Sequence, residues 1–107
     1  MWLFTSNGFV SVVADKNDPT NEKLLVRSRD RNHIRSLFPL AKVFSVPLSD
    51  YQWRAWVSRD QVTEVVSNNI QNLNYTNFKN SIESDMKYHD ACLSVWNSVF
   101  NEYYYTR

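Results

Sequence analysis

Only one glycine occurs in the 107 residues, Gly8, and it follows Asn7 between two apolar runs. Asn-Gly is the strongest short-range hairpin signal, because a type I′ turn needs positive φ at both central residues. The dipeptide predicts a turn closed by Ser6 and Phe9. Thr5 then faces Val10, Phe4 faces Ser11, Leu3 faces Val12 and Trp2 faces Val13. Leu3, Thr5, Val10 and Val12 share one face of this hairpin, and Trp2, Phe4, Ser11 and Val13 share the other. Apolar groups on both faces predict a hairpin covered, at least in part, on both sides. The scarcity of glycine also excludes glycine-rich phosphate loops and dinucleotide fingerprints. Any anion this chain binds must be held by side chains.

Downstream, Asp15 to Glu22 with Pro19 reads as a polar loop. Lys23 to Arg29 predicts a third strand, with Leu24 and Val26 alternating against Leu25, Arg27 and Arg29. Asp30 is placed to cap a short helix carrying Ile34, Leu37 and Phe38, which Pro39 ends. Ala41 to Val46 and Tyr51 to Val57 predict two further strands. On the second of these Tyr51, Trp53, Ala55 and Val57 share a face opposite Gln52, Arg54 and Trp56.

The apolar period then changes from two to about 3.6. Ser58-Arg59-Asp60-Gln61 matches a capping box ahead of Val62, Val65, Val66, Ile70 and Leu73. After Asn74-Tyr75-Thr76-Asn77, apolar residues recur at 78, 82, 86, 93, 96, 100 and 103, flanked by 92, 95 and 99. Thr76 or Asn77 is placed to cap this run, and a break near Ser84-Asp85 fits the sequence. Trp96, Phe100 and Tyr103 fall on its buried row. The order β-β-β-α-β-β-α-α predicts a single α+β domain over residues 1–107: an antiparallel sheet of about five strands with helices against it.

Length supports one core without disulfides or metals. The lone Cys92 forms no intramolecular disulfide and suits a reducing compartment. No run approaches a membrane span, and the start Met-Trp-Leu-Phe-Thr lacks the plan of a signal peptide, so the expected location is cytoplasmic. Net charge is +1 but uneven: residues 1–59 carry nine Lys/Arg against five Asp/Glu, and residues 60–107 carry three against six. That balance argues only weakly for binding to nucleic acid.

The chain resembles a family of small bacterial and phage proteins without an assigned activity. The likeness rests on Met1-Trp2-Leu3-Phe4-Thr5 with Gly8-Phe9-x-Ser11-Val12-Val13, and on Leu24-Leu25-Val26-Arg27-x-Arg29. Tyr51-x-x-Arg54-Ala55-x-Val57-x-Arg59, Tyr75-x-Asn77-Phe78-Lys79, Tyr88-His89 and Val95-Trp96 extend it. The resemblance implies a single compact domain and nothing about activity.

The densest polar feature is Arg27-Ser28-Arg29-Asp30-Arg31-Asn32-His33-Ile34-Arg35. Arg27 and Arg29 leave one face of a strand, and Arg54 joins them if its strand is a neighbour. With Arg31 they make an anion site for a phosphate or an acidic partner, since the guanidinium is a rigid fork of donors. The competing reading is a solvated face paired to Asp50, Asp60 or the acidic C-terminal segments. Lys79 extends the site or points to water.

No catalytic set stands out. His89 and Cys92 share a helix face but lack an orienting group and an oxyanion hole. Adding His33 gives three scattered ligands without a metal-site spacing, so neither metal nor cofactor is expected. Glu83, Asp85 and Asp90 lie around an outward helix surface rather than converging. Tyr104 and Tyr105 cannot both lie beneath one helical stripe, so one is expected to be exposed; Trp56 raises the same question on its strand. The leading expectation is a non-catalytic interaction protein, of accessory inhibitor or adaptor type, that binds a protein partner or itself. Trp56, Tyr104, Tyr105 and the arginines are its contact residues. Nucleotide or nucleic-acid binding through the arginines is the alternative.

Overall fold

A computed structural model of the chain describes residues 1–105, the side chain of Tyr105 excepted. The chain divides into two compact units, Met1–Leu73 and Asn74–Arg107.

The first unit is built on a five-stranded antiparallel sheet in the order β1-β2-β3-β5-β4. Its strands are β1 (Trp2–Thr5), β2 (Gly8–Ala14), β3 (Lys23–Ser28), β4 (Phe44–Ser45) and β5 (Trp53–Ser58). Helices α1 (Arg31–Leu37) and α2 (Arg59–Gln71) complete the unit. Both pack on the sheet face that presents Val10, Val12, Val26, Ala55 and Val57, where Ile34, Leu37, Phe38 and Val62 close the core. The α+β architecture and strand count match the expectation.

The helix starts obey local capping chemistry. The Asp30 carboxylate accepts the Asn32 N–H at 2.9 Å, and the Ser58 hydroxyl accepts the Gln61 N–H at 3.2 Å. Each satisfies a donor that the first helical turn leaves without a partner.

The hairpin differs from its predicted register by two residues. Thr5 pairs with Gly8, Phe4 with Phe9, Leu3 with Val10 and Trp2 with Ser11, so the turn is centred on Ser6-Asn7. Neither turn residue has positive φ; within the hairpin only Gly8 does, at 139°. The Thr5 hydroxyl takes the Asn7 N–H at 3.1 Å and donates to the Gly8 carbonyl at 3.0 Å, closing the turn one step early. A two-residue shift preserves the faces, because side chains alternate with period two.

Three other strands, β3, β4 and β5, also differ in their bounds: β3 ends at Ser28, leaving Arg29 in the connection to α1. β4 is only two residues long, since the chain over 41–43 departs from β5 and tucks Ala41 and Val43 against the core. β5 begins at Trp53, and Tyr51 lies in the bend before it. Tyr51 is therefore outside the strand alternation, and it does not share the face of Trp53, Ala55 and Val57.

The second unit contains α3 (Phe78–Ser81) and α4 (Met86–Tyr105). Asn77 caps α3 through the Asn80 N–H at 3.2 Å, and the Asp85 carboxylate accepts the Tyr88 N–H at 3.2 Å at the start of α4. The break near Ser84-Asp85 is thus real, with Asp85 as the capping side chain. Ile82, Tyr88 and Cys92 are buried. Trp96, Phe100 and Tyr103, expected on a buried row, are instead exposed. The Trp96 and Phe100 rings stack at 5.2 Å, and those of Phe100 and Tyr104 at 5.1 Å. These i,i+4 contacts cover part of each ring without a core.

Candidate anion-binding site

One row of side chains crosses the sheet on the face opposite the α1–α2 core: Trp2, Ser11, Arg27, Arg54 and Phe44, one from each strand. Its centre is a pair of like charges. Arg27 on β3 lies directly opposite Arg54 on β5. The Arg59 N–H donates to the Glu22 carbonyl at 2.7 Å as the β3–β5 ladder continues. Alternation from that bond makes Arg27/Arg54 a non-hydrogen-bonded pair, the kind whose side chains stand closer. Like charges so placed destabilise a sheet.

The bend before β5 organises the arginines. The Asp50 carbonyl accepts Arg29 Nε–H at 3.1 Å, and the Tyr51 carbonyl accepts Arg54 Nε–H at 3.1 Å. The Tyr51 ring, 5 % exposed, has the Arg27 and Arg29 guanidinium carbons each 4.7 Å from its centroid. Arg27 and Arg29 thus share one ring as their cation–π partner. Arg27 donates from Nη2 to Ser11 Oγ at 2.8 Å, and Ser11 is itself 1 % exposed. Arg27 Nε is buried and has no hydrogen-bond partner among the described residues.

Among the described residues, a single carboxylate answers these three cations. Asp50 Oδ1 lies 3.6 Å from Arg54 Nη2, and its side chain is two-thirds exposed. The cluster therefore carries a net double positive charge. Each guanidinium is anchored through one N–H, and further donors of its planar fork are uncommitted, apart from the buried Arg27 Nε and the Arg54 Nη2 that faces Asp50. The arrangement fits a tetrahedral or planar oxyanion.

The other expected site residues have other neighbours. Arg31 leaves α1 and sits 5.5 Å from the ring centroid of Trp53, which belongs to the core face of β5. Lys79 in the second unit lies 5.2 Å from the Trp96 ring centroid. Trp56 is nearly half exposed and stacks with Phe44 at 6.5 Å on the arginine face. Tyr104 is exposed on α4; the side chain of Tyr105 lies outside the described residues. Sequence reading missed Tyr51 and Ser11 as members of the site, and named Asp50 only as an ion-pair partner of the arginines, which it is for Arg54. The nearest signal was the spacing of Tyr51 from Arg54.

The candidate chemistry on α4 has no matching geometry. His89 Nδ1 is 3.3 Å from Asp90 Oδ1, and burial pushes the Cys92 thiol above its ordinary pKa against a weaker opposing hydrogen bond from Tyr88. A thiol shifted that way is a poorer nucleophile at neutral pH. Among the described residues no group of three His, Cys, Asp or Glu side chains is arranged to hold a metal ion, and no helix is long and apolar enough to cross a membrane.

Compared with protein-family models, with curated proteins and with solved structures, the chain matches none.

Proposed function

We propose that this is a non-catalytic binding protein that recognises an anionic group on a protein partner through Arg27, Arg29 and Arg54. The observation that carries the reading is the Arg27/Arg54 cross-strand pair, reinforced by Arg29 and answered, among the described residues, by Asp50 alone. A sheet gains nothing from opposing two cations at its centre, and local conflicts of this kind mark functional positions. The anchoring of each guanidinium by a carbonyl or hydroxyl supports a preformed site, which lowers the entropy lost on binding.

The aromatic side chains belong to the same reading. Trp2 and Phe44 end the arginine row at the two sheet edges, and Trp56 lies beside Phe44; all three are exposed. Trp and Arg are enriched at protein contacts, and a cationic centre with aromatic flanks suits an acidic patch on a protein. An extended polyanion is disfavoured by the net charge of +1.

The test is a titration with sodium sulfate at constant ionic strength, followed by the side-chain Nε–H signals of the arginines. The Arg27, Arg29 and Arg54 signals are expected to move along one binding curve while Arg35 and Arg59 stay fixed. Equal small shifts at all arginines would remove the reading.

A further inference from the structure

We infer that the group bound at the Arg27–Arg29–Arg54 site is a phosphate monoester in its dianionic form. The inference rests on the anion-binding reading above and narrows it to one ligand chemistry.

Charge comes first. Three guanidinium groups share one carboxylate among the described residues, and that carboxylate is mostly solvent-exposed. A monoanion would leave the cluster with a positive charge, whereas a dianion neutralises it. In partly buried surroundings one additional unit of matching charge a few ångströms away outweighs a typical neutral hydrogen bond. Arg54 is only one-fifth exposed, and Arg27 Nε is wholly withdrawn from solvent, so screening by water is reduced.

The donor count agrees. The guanidinium groups arrive from three sequence positions on β3, β5 and the β3–α1 connection, each tied by one N–H to Ser11, Tyr51 or Asp50. All three meet Tyr51: Arg27 and Arg29 lie against its ring and Arg54 is held by its carbonyl. A carboxylate presents two coplanar oxygens, and one fork can satisfy both. A phosphate monoester presents three oxygens around a tetrahedral centre and so can engage all three forks. A phosphodiester, as in a nucleic-acid backbone, has lost one of those oxygens and one charge.

A phosphate monoester gains its second charge at about pH 6, whereas sulfate carries two throughout the range tested. The titratable and charged groups that face the site are Asp50, Tyr51 and the three arginines. Affinity for a monoester should therefore follow the ligand's own ionisation.

The experiment is a calorimetric titration of the full chain with methyl phosphate, dimethyl phosphate, sulfate and acetate at about pH 5 and about pH 8, at matched ionic strength. Methyl phosphate is expected to bind roughly tenfold tighter than dimethyl phosphate or acetate at the higher pH. That advantage should collapse at the lower pH, while sulfate, a dianion throughout, keeps one affinity. Dimethyl phosphate or acetate binding as tightly as methyl phosphate would overturn the inference. So would a parallel pH-dependent loss of methyl phosphate and sulfate, which would assign the titration to the protein. If no anion binds, or if binding survives in both Arg27→Met and Arg29→Gln, the underlying anion-binding reading falls instead. Arg29 is exposed, so its variant remains informative if Arg27→Met does not fold.

Discussion

The imidazole of His33 rests on Gly8 so closely that a β-carbon at that glycine would lie 2.4 Å from His33 Cγ. The ring's Nδ1 accepts the Phe9 N–H at 3.2 Å, and Nε2 lies 3.7 Å from Asp30, the residue that caps α1. One side chain thus ties the first hairpin to the start of α1. Gly8→Ala combines a steric overlap with a backbone at φ 139°, which side chains rarely adopt. It should cost about 2–4 kcal/mol by denaturant unfolding. In the Gly8→Ala, His33→Ala double variant the overlap is gone and only the backbone strain remains. Its loss should therefore be smaller than the sum of the single losses. Strict additivity would show that the ring is not what excludes the methyl group.

Cys92 should behave as a structural thiol. Burial raises its pKa, so little thiolate is present at neutral pH. Alkylation by iodoacetamide is expected to be slow in the native protein and fast after unfolding in guanidinium. Anion binding should be unchanged in Cys92→Ser. Rapid native labelling would return Cys92 to consideration as a nucleophile.

Asp18 organises the loop between β2 and β3. Hydrogen bonds from the Thr20 hydroxyl first, and then from the Lys23 main chain, hold its carboxyl below its ordinary 3.8. A carboxylate with a depressed folded-state pKa contributes stability that is present above its unfolded value. That contribution is lost as pH falls through the folded value. Wild type should therefore melt above Asp18→Asn at about pH 6, and the two curves should converge by about pH 2. A constant separation across that range would contradict the assignment.

Local physics made much of the fold legible, and distance in sequence marks where it stopped. The side chains of Asp30, Ser58 and Asn77 cap helices by accepting the N–H of a residue two or three positions on, so their roles could be read from a few neighbouring residues. The alternation along β3 placed Arg27 opposite the core for the same reason, whereas Arg29 lies just past the strand's end. The hairpin register failed because Gly8 is required by His33, 25 positions away, and not by the turn beside it. Arg54 reaches the site only because β3 and β5 pair across an intervening helix and short strand. Tyr51 escaped notice because it sits in a bend, where strand parity does not apply. The apolar stripe of α4 was visible, but periodicity alone cannot say how far along a helix burial extends. Here it ends near Cys92, and the aromatic rings beyond it stack on one another.

Arg27 offers the most direct test that the cation cluster serves binding rather than folding. Arg27→Met removes a buried, unpartnered Nε and one member of an opposed cationic pair while keeping an unbranched side chain. The measurement is thermal unfolding of wild type and Arg27→Met, with and without millimolar sulfate, against sodium chloride of equal ionic strength. Without sulfate the variant should melt at or above wild type, by up to about 5 °C. Sulfate at about ten times its dissociation constant should add about 1.4 kcal/mol to wild type and leave the variant unmoved. A variant that loses stability yet keeps its full response to sulfate would contradict the account.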